Sequence, residues 1–297
     1  MITIIFIPLP RPKAYNKLKK KSFPFCLHQG RKQNAKLILF FDMCNKDLFF
    51  RSFGNGKPLV ILHGILGSSD IWVPTARRLS ANYKVIIPDL PNHGNSFHTN
   101  SLAYDAMALE VARFLHRNDI ENPIMMGHSY GGKIVLTMVA KNYIDMEKIV
   151  LIDISSEQQK GENMQKLFEI LQRPLPTFGT FADAEKYFLS IIAEPDMANL
   201  LVKGLGRKGK TLQWRWNTEV LAHGYAEVLH PVPLPVASAV PLLLVKGSRS
   251  AYVSAGAVDM LRLSFQNFTL AEVPNAGHWV HADNFGGFVQ AVEQFLK

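Results

Sequence analysis

Unbroken apolar runs recur along the chain at 58–63, 83–88, 123–127, 147–154, 240–246 and 268–273. Between most of them, near 71–81, 101–117, 130–142, 254–265 and 284–296, apolar positions fall three and four residues apart. Short continuous runs predict strands buried on both faces, and the three-and-four spacing predicts helices with one apolar face. Alternating the two predicts an α/β fold with a mostly parallel, doubly wound sheet, which binds ligands beyond the carboxyl ends of its strands. Two further β-rich runs, Leu37–Asp42 and Asp47–Phe53, flank Met43–Lys46 and predict a hairpin that opens the domain, so the folded unit is expected over 37–297. About 80 residues separate the strand ending at Ile154 from the one starting at Val240, too many for a simple connection. This stretch is expected to form a helical and loop-rich cap over about 157–238, holding Trp214 and Trp216 and a return through Pro231, Pro233 and Pro235. No internal repeat occurs.

Composition adds little to this picture except at the N-terminus. Of 297 residues, 47% are hydrophobic and 19% charged, as a well-packed core requires. The formal charge of +9 comes from residues 1–41, where Arg11, Lys13, Lys17, Lys19, Lys20, Lys21, Arg31, Lys32 and Lys36 stand without an acid. The remainder is balanced, so nothing in it argues for nucleic acid as a partner. Residues 1–36 are expected to be a disordered basic extension, with a transit peptide, a membrane-surface tether or an over-long start as alternatives. No run is apolar enough to span a membrane, and the two cysteines, Cys26 and Cys44, are too few for a disulfide framework, which fits a reducing, cytoplasmic setting. The ten histidines show no metal-binding spacing, and no phosphate loop or dinucleotide fingerprint is present, so neither metal nor cofactor is expected.

Candidate chemistry lies in the turns after the strands. The run 123–127 leads into Gly127-His128-Ser129-Tyr130-Gly131-Gly132, and a helical pattern follows. Glycines around a serine between strand and helix allow a turn tight enough to lift the hydroxyl clear of the sheet. The plainer reading of Ser129 is a helix N-cap. A serine hydroxyl needs a base within reach to become a nucleophile, and His278, in Asn275-Ala276-Gly277-His278-Trp279 after the last strand, is the candidate. Acyl chemistry also needs donors for a developing oxyanion. The amide of Tyr130 is one, and the turn His63-Gly64-Ile65-Leu66-Gly67 offers Ile65 first and Leu66 second.

Together, His63-Gly64, Gly-His-Ser-Tyr-Gly-Gly, Asp89-Leu90-Pro91-Asn92-His93-Gly94 and Gly277-His278-Trp279 resemble the α/β-hydrolase family over roughly 37–297. The serine-before-histidine order agrees with that fold. Within it, His63 to Ser68 and Gly247-Ser248-Arg249-Ser250-Ala251-Tyr252-Val253-Ser254 are similar to YbfF-type esterases, a resemblance that implies hydrolysis of short acyl esters and acyl thioesters. Many relatives carry the triad acid three residues after the glycine that corresponds to Gly247. Here that position is Ser250, which cannot balance an imidazolium. Asp153, at the end of strand 147–154, is the substitute that the resemblance implies; the alternative is a turn former, and Asp259 and Asp283 are weaker candidates, the latter as a helix cap. Asp89 and His93 are expected to shape a loop, and His128 to pack beneath the serine turn. Leu66, Trp214, Trp216 and Trp279 are candidates for the acyl pocket, or else plain core.

The resulting expectation is a serine hydrolase that cleaves small carboxylic esters or thioesters through an acyl-serine, without a cofactor. Carbon–carbon bond hydrolysis, elimination, haloperoxidase-like chemistry and a silent scaffold remain the alternatives on this fold.

Overall fold

Residues 46–159, 162–192 and 194–297 are described by a computed structural model. The basic extension, both cysteines and the first arm of the expected hairpin lie outside them. The described strands are β1 (Phe50–Phe53), β2 (Lys57–Leu62), β3 (Tyr83–Pro88), β4 (Ile124–His128), β5 (Lys148–Ile152), β6 (Leu205–Lys208), β7 (Thr211–Trp214), β8 (Leu242–Gly247) and β9 (Phe268–Val273). Seven of them form one sheet in the order β1-β3-β2-β4-β5-β8-β9. All its neighbours pair in parallel except β1, which runs antiparallel to β3.

The continuous apolar runs are explained by the layers on either side. Val60, Leu62, Met125, Leu151 and Leu244 face one core, together with Val111 of helix Tyr104–Arg117 and Ile134 of helix Tyr130–Ala140. Their strand neighbours Leu59, Ile61, Met126, Val150 and Val245 face the other, against Ala76 of helix Val73–Leu79 and Phe288 of helix Phe285–Leu296. Each of these four strands, β2, β4, β5 and β8, thus alternates faces, and both faces are buried. Each large side chain so covered contributes about 1.5–3 kcal/mol.

The expected strands at 83–88 and 268–273 coincide with the observed ones. The helix expected near 284–296 is observed intact at Phe285–Leu296, whereas the one expected near 71–81 is broken. A 3-10 turn at Ser69–Trp72 precedes Val73–Leu79, and the last helix is preceded by a separate turn at Val280–Asp283. Among the described residues the insertion between β5 and β8 contains five helices, Glu162–Leu171, Phe181–Ile191, Pro195–Lys203, Thr218–His223 and Tyr225–Leu229. It also contains the hairpin β6-β7, which the helical reading of the cap did not anticipate. Gly209, at φ +61, reverses the chain there, and Leu205 and Leu212 turn inward on the two arms. No helix among the described residues is long and apolar enough to cross a membrane.

Parallel pairing has one consequence for chemistry. His63 follows β2, Asp89 follows β3, Ser129 follows β4, Asp153 follows β5, Ser250 lies just past β8 and His278 past β9, all at the carboxyl edge of the sheet.

Candidate active site

Ser129 stands between β4 and the helix beginning at Tyr130 with φ 51 and ψ −118, a conformation that few residues with a side chain adopt. Its surroundings hold it there. The Ser129 amide donates to the Ile152 carbonyl at 3.2 Å, and its carbonyl accepts from the amides of Gly132 at 2.9 Å and Lys133 at 3.2 Å. A Cβ on Gly131 would stand 2.5 Å from the Leu62 carbonyl, and one on Gly127 would stand 2.6 Å from the Gly132 amide. Only hydrogen fits at either position, which is why the turn needs those glycines. The serine hydroxyl makes no capping bond to the helix, so the N-cap reading has no support in the geometry.

The Nδ1 of His278 donates to Oδ2 of Asp153 at 2.8 Å. Asp153 is fully buried, and it also accepts from the Gly247 amide at 3.0 Å and from the hydroxyl of Ser250. Three donors offset the cost of burying its carboxylate. Ser250 therefore occupies the place of the commoner acid and donates to Asp153. With the proton on Nδ1, Nε2 of His278 is the ring's acceptor. The imidazole is held from two more sides. Tyr252 stacks on it with centroids 3.6 Å apart and planes 13° from parallel, and the His278 carbonyl accepts from Nε2 of His128 at 2.9 Å. His128 packs beneath the turn, near enough that a Cβ on Gly64 would meet its Nδ1 at 2.9 Å.

The other acidic candidates lie elsewhere. Asp259 is exposed and paired with Arg262 at 3.1 Å. Asp283 does not cap the last helix; Asn284 does, through the Gly287 amide at 2.9 Å, because it stands directly before the first helical residue. The Asp283 carboxylate instead accepts from the Gly277 amide at 2.6 Å and braces the turn that carries His278.

The loop after β2 lies against the turn that carries Ser129, since a Cβ on Gly64 would stand 3.3 Å from that of Ser129. The Leu66 amide donates to Nε2 of His93 at 3.1 Å and is not available to a ligand. Ile65, the other candidate donor from this loop, lines the same cavity as Tyr130, whose amide, as the first of a helix, has no intrahelical acceptor. His93 and His63 tie the loop to its neighbour. His63 accepts from the Leu90 amide at 2.9 Å, and both rings are buried. Burial, with His63 alongside, pushes His93 down to about 3; burial lowers His63 as well. Asp89 shapes the same loop, accepting from the amides of Ser69 at 2.6 Å and Asn95 at 2.9 Å. Gly94, at φ +59, would put a Cβ 2.1 Å from the Asp89 carboxylate. Gly94→Ala is accordingly expected to destabilise the protein by about 1–3 kcal/mol. The urea midpoint reads this directly, and an unchanged midpoint would contradict it.

Ser129 and His278 line one cavity of about 190 Å³. Ile65, Tyr130 and Trp279 share its wall, while Met197, Leu200 and Tyr225 come from the cap. Three expected pocket residues are not there. Leu66 turns into the core and is 1% exposed. Trp214 and Trp216 stack on each other at 5.2 Å, Trp214 also meeting Phe188 and Trp216 lying over Gly204. They build the cap's own core, which an insertion outside the sheet layers needs for its stability. Three residues at the site escaped the sequence reading, namely the functional contacts of Tyr252 and Ser250, and Lys133. Lys133 had a signal, as the one charge in the otherwise apolar helix Tyr130–Ala140.

Known proteins resemble this arrangement. Residues 57–188 match the α/β-hydrolase-fold family. The chain is 28% identical to the sn-1-specific diacylglycerol lipase ABHD11 of Xenopus laevis over 295 residues, 96% of this chain and 93% of that one. It is also 28% identical to esterase YbfF of Escherichia coli (strain K12), covering 82% of this chain and 94% of that protein. Among solved structures, a marine microorganism esterase superposes with a TM-score of 0.80 at 27% identity, covering 84% of this chain and 100% of that one.

Proposed function

We propose that this chain, which has the α/β-hydrolase fold, is a serine hydrolase of carboxylic esters, acyl thioesters included. The observation that supports this most directly is the pairing of His278 Nδ1 with buried Asp153 at 2.8 Å, beside a cavity shared with a strained, uncapped Ser129. Relatives named as a lipase and as esterases support ester cleavage in particular.

In the proposed cycle the Ser129 hydroxyl attacks the acyl carbonyl carbon while Nε2 of His278 takes its proton. Asp153 keeps the ring in the required tautomer and stabilises the imidazolium. The carbonyl oxygen gains negative charge as the tetrahedral centre forms, and the Ile65 and Tyr130 amides hydrogen-bond to it. Collapse breaks the bond to the leaving alcohol or thiol, which departs with the proton from His278. Water then gives a proton to the same nitrogen and attacks the acyl-serine, and the bond to Ser129 breaks as His278 returns that proton to the serine oxygen, releasing the acid. A cavity of about 190 Å³ favours a small acyl group.

A fluorophosphonate probe tests the reading. The wild-type protein is expected to be labelled, and Ser129→Ala is expected to lose all labelling while melting as the wild type does. Folded wild-type protein that stays unlabelled would refute the assignment.

A further inference from the structure

Lys133 lies one helical turn beyond Ser129, its amide bonded to the Ser129 carbonyl, and its side chain forms part of the cavity wall while being only 1% exposed. Its ammonium has three protons to donate. One goes to the His230 carbonyl at 2.6 Å, and the charge sits 5.5 Å from the centre of the Tyr104 ring. No Asp or Glu is among the described residues that line this cavity. A buried cation held by one carbonyl and one aromatic face regains little of the hydration it has lost, and burial alone pushes Lys133 down to about 8. It is still mainly protonated at pH 7. The hydroxyls of Tyr104 and Tyr130 beside it are committed to the carbonyls of Val228 and Leu102, at 2.5 and 2.6 Å, whereas Lys133 keeps donor capacity to spare.

Building on the hydrolase reading, we propose that Lys133 is the receptor for a carboxylate at the far end of the acyl group, so that the preferred substrates are half-esters or half-thioesters of short dicarboxylic acids. Lys133 follows Ser129 by four residues, its amide bonds to the Ser129 carbonyl at 3.2 Å, and both line one small cavity, an arrangement that suits a short chain joining a carbonyl on Ser129 to an anion at Lys133. The anion belongs to the acyl part because the leaving group must sit beside His278, whose ring neighbours are Tyr252, His128 and Trp279. Lys133 lies elsewhere on the wall, against Tyr104, with the His230 carbonyl as its hydrogen-bond acceptor. In the bound state the carboxylate would accept a charge-assisted hydrogen bond within an otherwise apolar chamber, which both selects the anionic substrate and fixes its reach.

The test compares kcat/KM of the full chain for monoethyl succinate and monoethyl glutarate with that for ethyl butyrate and ethyl valerate, followed by acid release. Wild type is expected to favour the half-esters by about tenfold or more. In Lys133→Met the ratio of half-ester to neutral ester is expected to fall about ten- to hundredfold. A wild-type ratio at or below unity overturns the proposal even if the variant does not fold, and so does a ratio that survives in folded Lys133→Met. Probe labelling of Ser129 without half-ester preference removes only the role of Lys133. Loss of labelling together with failure on all four esters removes the hydrolase reading beneath it.

Discussion

Asp153→Asn is expected to lower kcat/KM on a simple ester about ten-thousandfold with little change in melting temperature. The size of the loss follows from who donates to whom. Asp153 accepts from His278 Nδ1, from the Gly247 amide and from the Ser250 hydroxyl. An Asn oxygen can still take the Gly247 bond, and the Ser250 hydroxyl can rotate to accept from the new amide, so the packing survives. The third partner cannot adapt harmlessly. Facing an Asn N–H, His278 must offer a lone pair at Nδ1, which moves its proton to Nε2 and leaves no acceptor for the Ser129 hydroxyl. Steady-state kinetics on the purified variant decides the matter; an Asn variant within about tenfold of wild type would mean that the carboxylate plays no such part.

A second large effect is expected on stability in acid. His63, His93, His128 and His281 are buried, and burial is the leading cause that lowers each of them, with His93 and His281 brought to about 3. In the unfolded chain a histidine titrates near 6.5. Above that value neither state is protonated and these rings do not affect the balance. Below it the unfolded chain binds protons that the folded one refuses, so stability falls as pH falls, by up to about 1.4 kcal/mol per pH unit for each ring, until the folded value is reached. At pH 5 this amounts to about 2 kcal/mol for each of His93 and His281, with His63 and His128 adding in the same direction. Set against a total of roughly 5–15 kcal/mol for a typical domain, the loss is large. Urea unfolding at pH 7.5 and pH 5 measures it, and equal midpoints would show that the rings take up protons without opening the fold. His93→Gln, which can still accept from the Leu66 amide, is expected to make the pH dependence shallower.

Much of the sheet is legible in the chain because burial on both faces leaves a plain trace, an uninterrupted apolar run ending in a glycine or polar turn. β3, whose last four residues are all buried, can be read to the residue for that reason. The serine turn and the histidine after the last strand are legible because their glycine spacing reflects close contacts such as that of Gly131 with the Leu62 carbonyl. Asp153 is less so. From the residues alone it competes with Asp259 and Asp283, and what separates them is long-range geometry: Asp153 meets Gly247 and His278 only when β5, β8 and the loop after β9 lie side by side. The cap is hardest to read. Its hairpin arms are four residues each, and whether Trp214 and Trp216 face substrate or each other depends on how short helices stack. Tyr252 carried no distinguishing pattern, since a tyrosine in a loop reveals nothing of the ring it will lie upon.

Division of labour between sheet and insertion has a further meaning. The groups that would bond to reacting atoms hang from rigid strand ends, whereas Met197, Leu200 and Tyr225 reach the chamber from an insertion with an aromatic centre of its own. Such modularity lets the insertion be remodelled or transplanted, and the preferred guest retuned, without disturbing the machinery beneath.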